Sequence, residues 1–154
     1  MASGDNFDLL QGYTGITNVF RIQVQKASGV YQARIGARND ACTWTDSTWQ
    51  NLASGWNALE IECQAAHNAG SLSLWIGGTL KATLSAIDND GSKIDSIRLG
   101  AQGVDTGTRG TIYFDDPSTG SGQASNRAAS PRSDYCPTPE SRTQPQPPSL
   151  AGTT

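Results

Sequence analysis

SLSLWIGGTLKATL, residues 71–84, has the pattern of a β-hairpin. Two runs of alternating apolar and polar residues flank the pair Gly77 and Gly78. Alternation places every second side chain of a strand on the same face. Adjacent glycines supply the positive φ angles that a tight primed turn requires. The stretch therefore predicts two antiparallel strands joined by a two-residue turn.

The same period of two extends upstream and downstream of this hairpin. Phe20, Ile22 and Val24 alternate with polar residues, and a returning strand from Tyr31 to Ala37 follows a short loop at residues 27–29. Further strands are expected at residues 7–13, 56–66, 94–100 and 111–115. Residues 64–69 are good helix formers, but Gly70 ends that run, and we interpret it as a strand end and a loop. About eight short strands without a helix predict an antiparallel β-sandwich or barrel.

Composition and charge exclude two classes of partner. The 154 residues carry a net charge of -3 and a pI near 4.9, so we expect no nucleic-acid partner. No apolar run approaches the roughly 20 residues that cross a bilayer, and the first residues lack the pattern of a signal peptide. We therefore expect no membrane insertion.

The distribution of proline predicts where the folded domain ends. All seven prolines lie at or after Pro117, and the sequence from there on is rich in Pro, Ser, Thr and Gly. Such a segment buries too little apolar area to offset the entropy of ordering the chain. We expect one β-domain over residues 1–116 and a disordered tail over residues 117–154.

Four segments of the predicted domain resemble a known family. They are WNALEIECQAA (56–66), NAGSLSLWIGGTLKATL (68–84), IDNDGSKIDSIRLGA (87–101) and VDTGTRGTIYFDD (104–116). Their order and spacing resemble the concanavalin A-like, laminin-G-like jelly-roll modules of bacterial surface and secreted proteins. The resemblance implies a two-sheet jelly-roll sandwich that binds ligands or mediates adhesion without catalysis, in an extracellular or cell-surface location.

The resemblance also implies a missing part. Modules of this kind are generally longer and begin with additional strands, so we expect this chain to be a truncated copy that lacks N-terminal strands. A missing strand leaves a sheet edge with unpaired backbone groups, and such an edge favours self-association.

Aromatic and acidic residues indicate a candidate ligand surface. Alternation directs Trp75 away from the aliphatic core, and it places Glu60 and Glu62 together on one face of their own strand. An aromatic ring beside carboxylates is the chemistry that binds sugars. Trp44 and Trp49 have two interpretations: they line a binding rim, or they hold a long loop against the sandwich.

The same acidic strand raises the alternative of a glycoside hydrolase. Jelly rolls that resemble laminarinases carry acidic residues at every second position of one strand, where one serves as nucleophile and another as general acid. Here the third position is Gln64, and an amide cannot donate the proton that the leaving oxygen needs. We therefore expect no enzyme activity.

Metal and cysteine chemistry leave open alternatives. The loop at Asp88 and Asp90 offers carboxylate oxygens to calcium, the one cofactor we consider, but the EF-hand spacing is absent. The other interpretation is an Asx-rich turn. One histidine and no Cys-x-x-Cys spacing argue against zinc. Cys42 and Cys63 either pair as a disulfide, or Cys63 is a small buried hydrophobic residue.

The leading hypothesis from the sequence is a non-catalytic binding module that recognises a glycan or another surface ligand. The first alternative is a structural or adhesive spacer domain without a small ligand. The second is the remnant of a glycoside hydrolase. Fold alone does not decide among them.

Overall fold

The computed structural model of the chain describes residues 5–115 and residue 117. Apart from residue 117, the predicted tail lies outside this range. The described residues form an all-β fold, and none of them belongs to a helix that could span a membrane. The strands are β1 (Asn6–Thr14), β2 (Thr17–Ala27), β3 (Val30–Arg38), β4 (Trp44–Asp46), β5 (Gln50–Asn51), β6 (Leu59–Gln64), β7 (Gly70–Ile76), β8 (Thr79–Ile87) and β9 (Ser96–Gln102).

The strands form two antiparallel sheets that pack face to face. The larger sheet has six strands in the order β4-β3-β2-β1-β9, with β5 also paired to β3. The smaller sheet has the order β6-β7-β8. Strand β3 lies across from β7 and β8, so the prediction of an antiparallel sandwich is confirmed.

Both predicted hairpins are present. Gly77 and Gly78 have φ angles of 58° and 73° and join β7 to β8, as the glycine pair predicts. Ser28 and Gly29, with φ angles of 49° and 85°, join β2 to β3 in the same way. These positive angles match the right-handed twist of the flanking strands.

The core lies between the two sheets and follows the predicted alternation. Ile35, Leu72 and Leu74 are the largest side chains that are fully buried. Around them lie the remaining members of one apolar cluster: Phe7, Val19, Phe20, Ile22, Val24, Ala33, Ala37, Ile76, Leu84 and Ile87. Burying one such aliphatic side chain stabilises the fold by about 1.5–3 kcal/mol.

Three segments differ from the secondary structure predicted for them. Strand β6 begins at Leu59 rather than at residue 56, because the Asn57 side chain bonds to the backbone of Ala53 and Gly55 and forms a turn there. Residues 111–115 pair with none of the nine strands, and Tyr113 is 74% exposed. Strands β4 and β5 are too short to show a period, and the sequence analysis assigned them to a loop.

The unequal sheets leave part of one inner face uncovered. Ile97 and Leu99 of β9 face inward, opposite Gly12 and Leu10 of β1, yet they are 45% and 43% exposed. The three strands of the smaller sheet do not extend over them. Self-association through an exposed sheet edge stays a prediction.

Candidate functional site

The sandwich presents two outer faces of different chemistry. We call the outer face of β6, β7 and β8 the three-strand face; it carries Glu60, Glu62, Gln64, Ser73 and Trp75. We call the outer face of the larger sheet the six-strand face. The two point in opposite directions because the apolar cluster lies between the sheets.

The three-strand face brings together the residues predicted to bind ligand. Glu60 lies directly opposite Trp75, and Glu62 lies opposite Ser73. The Ser73 and Thr83 hydroxyls are 3.2 Å apart and share a hydrogen bond. A register shift in β8 places exposed Leu80 opposite Trp75 on its other side. An aromatic ring is therefore flanked by a carboxylate and an aliphatic side chain.

Trp44 and Trp49 lie on the six-strand face, away from Trp75. The Arg21 guanidinium carbon lies 4.3 Å from the centroid of the Trp44 ring, and that of Arg34 lies 4.5 Å from Trp49. These cation–π contacts hold the segment around β4 against β2 and β3. A single rim shared with Trp75 is therefore excluded, and ligand binding by the two tryptophans stays a prediction.

Ion pairs connect this aromatic region to the centre of the six-strand face. Arg21 donates to both carboxylate oxygens of Asp46 at 3.1 Å, and Arg34 lies 3.3 Å from the same carboxylate. Gly36 lies between Arg21 and Asp46 in the register of the sheet. With no side chain there, the Arg21 side chain crosses β3 to reach its partner.

The hydrogen bonds continue across β2 and β1 to β9. Arg34 Nε donates to Gln23 at 2.8 Å, and Gln23 donates to Asp8 at 2.8 Å. Gln11 donates to the other oxygen of Asp8 and accepts from the Tyr13 hydroxyl at 2.7 Å.

At the β9 end, the Arg98 guanidinium lies 4.3 Å from the centroid of the Tyr13 ring. We call the whole set the polar network: Asp8, Gln11, Tyr13, Arg21, Gln23, Arg34, Asp46 and Arg98. None of these contacts was predicted from the sequence. The alternation had shown that Arg21, Gln23 and Arg34 face away from the core, but their partners depend on strand register.

The candidate metal residues lie at one end of the sandwich. Asp88 and Asp90 are joined by His67, whose Nδ1 lies 3.0 Å from one Asp88 oxygen and 3.8 Å from one Asp90 oxygen. One ligand atom from each of the three lies within 4.8 Å of the others. An imidazole departs from the oxygen ligands that calcium prefers, and calcium binding stays a prediction. The Ser92 amide donates to the Asn89 carbonyl at 3.0 Å, so the predicted turn is present.

Asp40 adds a further carboxyl group to this end of the sandwich. Its backbone amide donates to the Asp88 carbonyl at 2.7 Å, and its side chain accepts from the Gly91 amide at 3.0 Å. Burial raises the pKa of Asp40 above 3.8, and so do a hydrogen bond with Asp90 and the charges of Asp90 and Asp88. The Gly91 bond opposes this shift only in part. Asp40 therefore ionises less readily in the folded chain than in the unfolded chain.

We predict that Asp40→Asn raises the unfolding temperature near neutral pH but not in acid. Because the folded chain holds the Asp40 proton more tightly, wild-type stability falls as pH rises from about 3.8 through the higher folded pKa. The amide of the variant does not ionise and retains an acceptor for Gly91. Thermal unfolding with a chelator present, at about pH 3 and about pH 7, measures the effect. A variant less stable than wild type at the higher pH contradicts it.

The two described cysteines do not pair with each other. Cys63 is a free thiol. Burial raises the pKa of Cys63 to about 11, so its thiolate is scarce near neutral pH. The interpretation of Cys63 as a small buried residue fits this environment.

The candidate functional site thus consists of two separate faces and a charged loop cluster. The three-strand face contains the predicted ligand residues, and the six-strand face contains the polar network. Comparison of the chain with protein-family models, with curated proteins and with solved structures finds no match.

Proposed function

We propose that this chain is a non-catalytic, concanavalin A-like jelly-roll module that binds a glycan through its three-strand face. We further propose that it acts in an extracellular or cell-surface setting. The observation that carries the proposal is the direct cross-strand pairing of Glu60 with Trp75. Neighbouring side chains at such a pair lie within about 5.5 Å at their Cβ atoms.

The chemistry of this face fits a sugar. An aromatic ring packs against the apolar C–H face of a pyranose, and a carboxylate accepts hydrogen bonds from its hydroxyl groups. Trp75 supplies the ring, Glu60 and Glu62 supply the acceptors, and Leu80 extends the apolar contact. Because all four lie on paired strands, the surface is positioned before the ligand arrives.

Binding is favoured over hydrolysis on this face. A glycosidase needs one carboxyl group that donates a proton and a second carboxylate that attacks or activates water. Glu60 and Glu62 lie on one strand face with Gln64, whose amide has no proton of suitable acidity. Loss of a slow β-glucan cleavage in Glu60→Gln would instead support the hydrolase alternative.

We predict that Trp75→Ala weakens glycan binding about tenfold or more, because losing a stacked aromatic contact in a binding site costs on the order of 1.4 kcal/mol or more. A glycan array identifies a ligand for the wild-type chain, and titration calorimetry measures the variant. Circular dichroism confirms that the variant is folded.

Trp56→Ala is the matched control for this experiment. Trp56 is 72% exposed and precedes β6, outside the three strands that carry the proposed surface, so its removal should leave the affinity unchanged. Equal affinity of Trp75→Ala and wild type would eliminate the proposed surface. An array without any bound glycan would support the spacer alternative.

A further inference from the structure

The polar network holds long side chains in place across the six-strand face. Fixing a long side chain such as Arg or Gln costs about 1.5–2 kcal/mol of conformational entropy. The guanidinium–carboxylate pairs here keep 21–26% of their side-chain surface exposed. Order of this kind on an outer sheet face is what a preorganised ligand site requires.

Gly36 is part of this arrangement. A Cβ atom at Gly36 would lie 2.3 Å from Asp46 Oδ1 and 3.0 Å from Arg21 Nε. Any larger residue would push these two side chains apart. The Arg21–Asp46 ion pair therefore occupies the space beside Gly36, and the Arg21 guanidinium lies over the Trp44 ring.

The acceptors of the network are already occupied. Asp8 accepts from Gln11 on one oxygen and from Gln23 on the other. Asp46 receives Arg21 on both of its oxygens and Arg34 as well. Both carboxylates therefore already accept hydrogen bonds from side chains of the protein and have little remaining capacity to accept them from a ligand.

The donors are not exhausted. A guanidinium has five N–H groups, whereas the contacts to described residues engage Nε and one terminal nitrogen of Arg34 and one terminal nitrogen each of Arg21 and Arg98. Arg21 Nε is buried and has no hydrogen-bond partner among the described residues. The three guanidiniums therefore keep N–H groups that no described residue engages.

From these observations we propose that the six-strand face is a second ligand site, and that it binds an acidic oligosaccharide. The polar network contains three guanidiniums and two carboxylates. Its net charge is therefore positive, although the net charge of the whole chain is -3. A sugar carboxylate is planar and matches the fork of a guanidinium. The Trp44 and Trp49 rings beside the arginines supply apolar contact for the sugar rings. This site lies opposite the three-strand face and does not depend on it.

Calorimetry with the full chain tests the proposal at about 0.15 M ionic strength, where distant charges are screened. The probes are a tetrasaccharide of galacturonic acid, the neutral galactose tetrasaccharide and a sulfated galactose tetrasaccharide. We expect the uronate to bind at least tenfold more tightly than the neutral sugar. The sulfated probe distinguishes carboxylate recognition from recognition of any acidic group.

Three variants distinguish binding at a specific site from attraction by the overall charge of the protein. Arg98→Gln, which loses only its contact with Tyr13, should weaken uronate binding about tenfold, as expected for one charge-assisted hydrogen-bond pair. Arg109→Gln removes the same charge from a residue that follows β9, outside the strands of the sheet, and bonds to the backbone at Thr106 and Thr108. It should have no effect. Arg34→Lys keeps the charge but loses the fork, and should bind more weakly than wild type.

The proposal would be overturned by absence of uronate binding, by equal affinity for the neutral sugar, or by equal losses in Arg98→Gln and Arg109→Gln. Equal affinity for an oligonucleotide of the same charge would also overturn it, because that would indicate unspecific attraction of anions. Trp75→Ala should leave uronate binding intact, so failure of this site and failure of the three-strand face are distinguishable.

Discussion

Leu74→Ala should lower the free energy of unfolding by about 2–5 kcal/mol. Leu74 is fully buried at the centre of β7 and packs in the cluster shared by both sheets. Removing three carbons there loses the transfer free energy of burial and leaves a cavity that the rigid sheets cannot close. The free energy of unfolding of a whole domain lies near 5–15 kcal/mol. This substitution should therefore remove a large part of the stability of the domain.

Ser73→Ala is the matched control for this prediction. Ser73 is the preceding residue of the same strand, but it points to the three-strand face, where its hydroxyl bonds with that of Thr83. Substitutions on such surfaces usually change stability by about 0.5 kcal/mol or less. Urea unfolding followed by tryptophan fluorescence measures both variants. Similar losses in the two would contradict the assignment of inner and outer faces.

Asn89→Ala should lower the free energy of unfolding by about 1–3 kcal/mol, the cost of leaving partly buried polar groups unpaired. Asn89 is 5% exposed. Its side chain accepts from the Ala66 amide at 3.0 Å and donates to the Gln64 carbonyl at 3.4 Å. Its backbone amide donates to the Ala66 carbonyl. These bonds hold the end of β6 to the segment that follows β8, and Gly70 leaves the space that the side chain occupies.

Asn57→Ala provides the comparison for Asn89. The Asn57 side chain makes the same kinds of bond, to the Ala53 amide and carbonyl and to the Gly55 carbonyl. These bonds lie in an exposed loop, where water replaces a lost partner, so the loss should stay below about 1 kcal/mol. A greater loss for Asn57→Ala than for Asn89→Ala would show that burial is not what makes Asn89 important.

The sequence allowed the sandwich to be predicted because its longer strands carry strong local signals. The run at 71–84 combines a period of two with a glycine pair, and both features act within a few residues of each other. Strands β4 and β5 have three and two residues, which is too few to show a period. The opposite error occurred at residues 111–115, where alternation suggested a strand and no described strand pairs with it. A strand depends on its neighbours as well as on its own residues.

The candidate site was predictable in orientation but not in register. Parity along each strand directed Glu60, Glu62 and Trp75 outward, and the structure places them so. The pairing of Glu60 with Trp75 was not accessible, because the five-residue connection between β6 and β7 permits several registers. The polar network was harder still to foresee, since its contacts join β9 to β1 and β2 to β4.

The pairing of β1 with β9 bears on the order in which the chain assembles. Tyr13 and Ser96 are partners although about 80 residues separate them in sequence, whereas β1, β2 and β3 meet through short turns. Closing so long a loop costs entropy and slows the step that requires it. Among the described strands β9 is the last to emerge during synthesis, and until it pairs with β1 that strand has an unpaired edge. Ile97 and Leu99 bury little apolar surface when β9 pairs with β1. We therefore expect β9 to separate from the sheet at a lower denaturant concentration than the other described strands.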